Sequence, residues 1–196
     1  MREVTTKVYT FNELSTAAQQ KAIDKISNSD YIYDQWWDYI YDNFKSDAAE
    51  FGVDIDANEI TFNLDRGSFF GVDAEGVTIN DEFVKKTLKL KNMPYIDIKF
   101  NVAKVGLQHI EFPRDRWHHS KDNDSGWYEL IMENVSSKMK PKVKELVAGM
   151  MDKLSDLCAK SYEDLRAEYD HMLSDEYIRD MIEANDYEFE EDGTRI

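Results

Sequence analysis

Residues 40–55 read Ile-Tyr-Asp-Asn-Phe-Lys-Ser-Asp-Ala-Ala-Glu-Phe-Gly-Val-Asp-Ile, and the period of the apolar positions changes inside this stretch. Up to Phe51 the apolar residues recur three or four apart. Extended backward, Tyr33, Trp36, Trp37, Ile40, Phe44, Ala48 and Phe51 form one stripe, which predicts a helix from about Asp30 to Phe51. Gly52 is placed to end it, because glycine enters the left-handed conformation of a helix C-terminus without penalty. Beyond Gly52 the period is two. Val53 and Ile55, then Ile60, Phe62 and Leu64, alternate with polar residues, as strands of a sheet covered on one face do. Val77 to Ile79, Ile96 to Val102 and His109 to Phe112 continue the alternation, with Gly67, Gly71 and Gly76 marking turns. Phe83 to Leu90 fits both periods equally well.

The flanks are helical. Ser15 is an N-cap for a helix carrying Ala18, Ala22, Ile23 and Ile26, with Phe11 or Leu14 packing back over its first turn. A short strand is predicted at Val4 to Tyr9. Beyond Pro141, a 3-4 ladder of Val143, Leu146, Val147, Met150, Leu154, Leu157, Ser161, Leu165, Glu168 and Met172 predicts one long helix. Ser174 caps a shorter one over Asp175 to Ala184, and Tyr187 to Ile196 reads as a terminal strand or tight hairpin. The predicted class is α+β: a central antiparallel sheet with N-terminal helices and a long C-terminal helix. At 196 residues the chain is expected to be one domain. Its parts are a helical segment 1–52, a sheet 53–112, a loop 113–127 and a helical segment 128–196 with the terminal strand.

Composition excludes several functions. Forty acidic residues against 24 basic ones give a net charge of −16, so the mean field repels phosphate and argues against direct binding of nucleic acid or anionic membrane. The single cysteine, Cys158, permits no intrachain disulfide and no cysteine-based zinc site, which suits a reducing host cytoplasm. No apolar run reaches the roughly 18 residues of a membrane helix, and the start lacks the apolar core of a signal peptide. No serine, cysteine or lysine lies in a nucleophile context and no glycine-rich phosphate loop is present, so no catalytic residue, metal or cofactor is predicted.

Charge placement is the most informative feature. Asp30, Asp34, Asp38 and Asp42 recur every four residues, and from Asn28 to Glu59 the one base is Lys45. On a helix these carboxylates line one stripe about 6 Å apart, at a cost of roughly 0.2–0.5 kcal/mol per like-charged pair. With Glu50, Asp54, Trp36 and Trp37 they form a candidate protein-binding surface, one that mimics a phosphate backbone toward a basic groove. The alternative is a solvated face opposite the tryptophan stripe. The C-terminal region is acidic too, with 13 acids from Glu163 to Asp192 against Arg166 and Arg179.

Between these ends lies a basic stretch of Lys85, Lys86, Lys89, Lys91, Lys99, Lys104, Arg114, Arg116 and Lys121, followed by Lys138, Lys140, Lys142 and Lys144. It either neutralises the acidic ends or binds a small anion. Within it, the loop Arg114 to Asp124 contains His118 and His119 beside carboxylates. The pair lacks the spacing of a metal-binding helix, and Asp122, Asp124 and Gly126 do not match a calcium loop, so a polar surface loop anchored by Trp117 and Trp127 is the simpler reading.

The two ends also resemble a known group. The run Val8-Tyr9-Thr10-Phe11-Asn12-Glu13-Leu14-Ser15, with Ala18, Lys21 and Ala22, is similar to a header of bacteriophage and prophage proteins, F-x-E-L-S-x-x-A-x-x-K-A. The pair Trp36-Trp37 is also similar. So is the tail: Ser174-Asp175-Glu176, then Ile182-Glu183-Ala184-Asn185-Asp186-Tyr187-Glu188-Phe189, then Glu191-Asp192-Gly193-Thr194-Arg195-Ile196. Together they resemble the phage family labelled "antitoxin of toxin–antitoxin stability system". Where those proteins carry a Gly/Trp/Gln/Asp-rich turn, this chain has Leu64-Asp65-Arg66-Gly67-Ser68-Phe69-Phe70. The resemblance implies phage origin and transfers no catalytic residue. With the charge pattern, it leads to the expectation of a non-enzymatic inhibitor that occupies a basic surface of a host protein. The partner would be a CRISPR effector or restriction enzyme; the alternatives are an antitoxin neutralising a cognate toxin and a protein that binds or hydrolyses a small nucleotide signal.

Overall fold

The computed structural model describes residues 7–28, 35–65, 68–90, 97–100, 109–111, 130–133 and 135–196. The class is α+β, with helices α1 (Thr16–Ser27), α2 (Asp38–Glu50), α3 (Asp81–Thr87), α4 (Lys140–Met172) and α5 (Asp175–Ala184). The strands are β1 (Tyr9–Thr10), β2 (Val53–Ile55), β3 (Ile60–Asn63), β4 (Phe69–Asp73), β5 (Val77–Ile79), β6 (Asp97–Phe100), β7 (His109–Glu111), β8 (Leu130–Glu133) and β9 (Glu188–Phe189). They pair antiparallel in small sheets of order β1-β9, β2-β5, β3-β4-β7 and β6-β8. The chain divides into two compact units, Met1–Trp36 with Arg166–Ile196, and Trp37–Leu165.

The unit formed by the two ends is built on capped helices. The Ser15 hydroxyl accepts from the Ala18 amide at 3.3 Å, and the Ser174 hydroxyl accepts from the Tyr177 amide at 3.2 Å. Each satisfies an amide that the first helical turn leaves unpaired. Ala18, Ala22, Ile23 and Ile26 of α1 then meet Ile178 and Ile182 of α5, with Phe11, Leu14 and Phe189 completing the core. Phe11 and Leu14, either of which is expected to pack back over the first turn, are both buried in this cluster. The N-terminal strand is Tyr9–Thr10, paired with Phe189 and Glu188; of the predicted Val4 to Tyr9 strand, Lys7 and Val8 are not in a strand and residues 4–6 lie outside the described residues. Gly193 lies so close to α1, at φ +83°, that a side chain there would meet the Ala18 carbonyl. Around it Lys21 pairs with Asp192, the Lys25 ammonium donates to the Thr194 hydroxyl at 2.9 Å, and Arg195 stacks 3.6 Å over the Tyr187 ring.

In the other unit, α2 buries Ile40, Phe44 and Ala48. Phe44 meets Phe70 of β4 edge-on with ring centroids 4.9 Å apart, and Tyr41 meets Phe62 and Phe70. Gly52 ends the helix at φ +85°, where the Phe83 ring leaves no room for a side chain. In the β2-β5 ribbon Val53, Ile55, Val77 and Ile79 face inward while Asp54 and Thr78 face solvent, the expected alternation. Of the Phe83 to Leu90 segment that fits two periods, Phe83 to Thr87 belong to the helix α3, and Leu88 to Leu90 lie beyond its end. The Asn80 side chain decides it by accepting from the Phe83 amide at 3.0 Å, and Val84 supplies the buried contact. Helix α4 starts at Lys140, with Pro141 in its first turn, where its missing amide costs nothing. Val143, Val147, Met150, Met151, Leu154, Leu157, Cys158, Ser161, Tyr162 and Leu165 are buried along it.

Three expectations need correction. Gly71, read as a turn, lies inside β4, paired with Thr61 and Glu111. Leu130–Glu133, placed in the helical segment 128–196, is strand β8, paired antiparallel with β6. The helix predicted from Asp30 begins at Asp38. Gln35 has φ +69°, a left-handed conformation that a right-handed helix cannot pass through. No helix among the described residues is long and apolar enough to cross a membrane.

Candidate protein-binding surface

The start of α2 reshapes the acidic stripe. Asp30 and Asp34 lie outside the described residues. Asp38 and Asp42 stand on α2 one turn apart, both exposed. It is therefore Asp38 that occupies the first turn, where the positive end of the helix dipole favours it by about 0.3–1 kcal/mol. Glu50 closes the same helix, exposed, at the end where the dipole disfavours an acid. One strand further, Asp54 projects from the outer face of β2 and accepts from the Asn80 side chain at 3.3 Å.

Several carboxylates in this region are engaged. Asp42 has Lys45 at 3.7 Å, a loose surface pair. Asp47, on the flank of α2, receives Lys160 from α4 at 3.0 Å, and this contact raises the Lys160 pKa above the ordinary lysine range. Asp56 accepts from the Asn58 amide at 3.0 Å and shapes the turn before β3. Asp38 and Glu50 make no ion pair among the described residues. The exposed negative charge runs from Asp38 through Asp42, with its loose Lys45 neighbour, and Glu50 to Asp54.

The tryptophans divide. Trp36 is 5 % exposed and packs on Tyr169 with ring centroids 5.9 Å apart, so it is core and offers no contact surface. Trp37 is half-buried, edge-on to Phe62 at 5.4 Å. Among the described residues of this region, the exposed aromatic is Tyr39, 49 % exposed between Asp38 and Asp42. The stripe spacing could have singled it out, since Tyr39 lies off the Trp36–Ile40–Phe44 line. Tyr41, by contrast, is driven inward. Burial, with the Asp38 charge adding to it, pushes its phenol pKa up to about 12.

The basic stretch is also partly engaged. Lys85 bridges Asp81 at 2.9 Å and Glu82 at 2.8 Å. Lys86, Lys89, Lys138, Lys140, Lys142 and Lys144 are exposed. The loop of Arg114, Arg116, Trp117, His118, His119, Lys121, Asp122 and Asp124 lies outside the described residues, as do Lys91 and Lys104. Among the described residues no three His, Cys, Asp or Glu side chains are grouped to hold a metal ion. Cys158 is fully buried, and burial pushes its thiol well above the ordinary range, so the thiolate needed of a nucleophile is suppressed.

No family model matches the chain, and no curated protein or solved structure matches it either.

Proposed function

We propose that this chain is a phage-type, non-catalytic binding protein that blocks a host nucleic-acid-binding defence protein, of the CRISPR-effector or restriction-enzyme kind, by covering its basic surface. The observation that carries the reading is the exposed carboxylate run Asp38, Asp42, Glu50 and Asp54 on α2 and β2, which has one loose lysine neighbour among the described residues. Such a run offers separated negative charges along one rigid helix and the strand that follows it. A groove that binds a phosphate backbone presents the complementary array of Arg and Lys. The exposed acids Asp175, Glu176, Asp180 and Glu183 of α5 provide a second negative surface on the other unit. The head and tail resemblance supports a phage setting.

The test is capture from host lysate on the immobilised protein, in parallel with a variant carrying Asp38→Asn, Asp42→Asn, Glu50→Gln and Asp54→Asn. The expected result is a nucleic-acid-binding protein held by the native chain, lost from the variant, released by salt, and unable to bind its nucleic acid while held. Equal capture by both forms, or capture of a protein whose nucleic-acid binding is undisturbed, would overturn the proposal.

A further inference from the structure

We draw no further inference here: the strongest candidate, the exposed lysines Lys138, Lys140, Lys142 and Lys144 at the start of α4, is a helix N-terminus at which nothing in the structure shows what covers it.

Discussion

The Lys160 ammonium donates to the Asp47 carboxylate at 3.0 Å, joining α4 to α2 and removing one negative charge from the acidic flank. Both side chains are substantially exposed, at 61 % and 41 %, so solvent screens the pair and its contribution to stability is small, within about 1 kcal/mol. Its larger effect is on the field. Lys160→Met should leave the denaturation midpoint nearly unchanged while freeing Asp47 and quickening association with a basic partner at low salt. Stopped-flow association rates of the native and variant chains check this; a slower variant would contradict it.

The C-terminal hairpin should fail sharply at one residue. Gly193 combines φ +83° with a close approach to the Ala18 carbonyl. A methyl group there is strained by the backbone conformation and blocked by a backbone oxygen that cannot turn aside. Gly193→Ala should destabilise the protein by at least about 1 kcal/mol, read as a lower midpoint in thermal or urea denaturation. Thr194→Ala, which deletes the hydroxyl that accepts from Lys25, should have a smaller effect.

Asp192 gives the same region a pH signature. The Lys21 ammonium holds its carboxyl well below the usual carboxylate range, and Thr194 adds to the effect. A depressed pKa stabilises the fold above the unfolded value, about 3.9, and that contribution is lost as pH falls below it. Asp192→Asn should therefore be less stable than the native chain at pH 7, with the gap closing below pH 4. Paired melting curves across that range check it; a constant gap would show that the ion pair is not the cause.

Tyr162 is a case in which removing a polar atom should not weaken the core. Its residue is 4 % exposed, and its hydroxyl has no hydrogen-bond partner among the described residues. A buried hydroxyl without a partner carries a desolvation penalty of about 1–3 kcal/mol. Tyr162→Phe keeps the ring and deletes that penalty, so stability should be equal or higher by about 1 kcal/mol. A clear loss in urea denaturation would mean that the hydroxyl is satisfied in solution.

What could be read in advance depended on whether the deciding interaction was local. Helices α1 and α5 were legible because Ser15 and Ser174 cap them through amides three residues away, and their apolar faces repeat at 3-4 spacing. The β2-β5 ribbon was legible from the alternation of Val53, Asp54 and Ile55. The start of α2 was not, because Trp36 fits the stripe of Ile40 and Phe44 while Gln35 carries no sign of a left-handed backbone, as glycine or asparagine would. The α3 segment was undecided because periodicity alone did not weigh the Asn80 cap. At the candidate surface, exposure of Asp42, Glu50 and Asp54 followed from their places off the apolar positions. The burial of Trp36 follows from its place on the stripe, whereas its Tyr169 partner and the engagement of Asp47 by Lys160 involve residues distant in sequence, which no local pattern reports.

Asp38 and Asp42 decide between a contact surface and a solvated face. Within α2 the two like charges one turn apart repel by about 0.2–0.5 kcal/mol. Asp38 recovers a similar amount from the helix dipole, and Asp42 gains little from Lys45 at 3.7 Å. Replacing both with asparagine should therefore leave stability within about 1 kcal/mol of the native value. If the face is only solvated, partner binding will be unchanged as well. If it is the contact, the partner's cations lose their counter-charges on docking, and binding should weaken by about 2–5 kcal/mol, roughly 30-fold or more. We expect the second outcome, together with a shallower dependence of association rate on salt, since screening acts on the charges removed. Calorimetric titration of the folded double variant against the captured partner measures it, and an unchanged Kd would exclude this face as the contact.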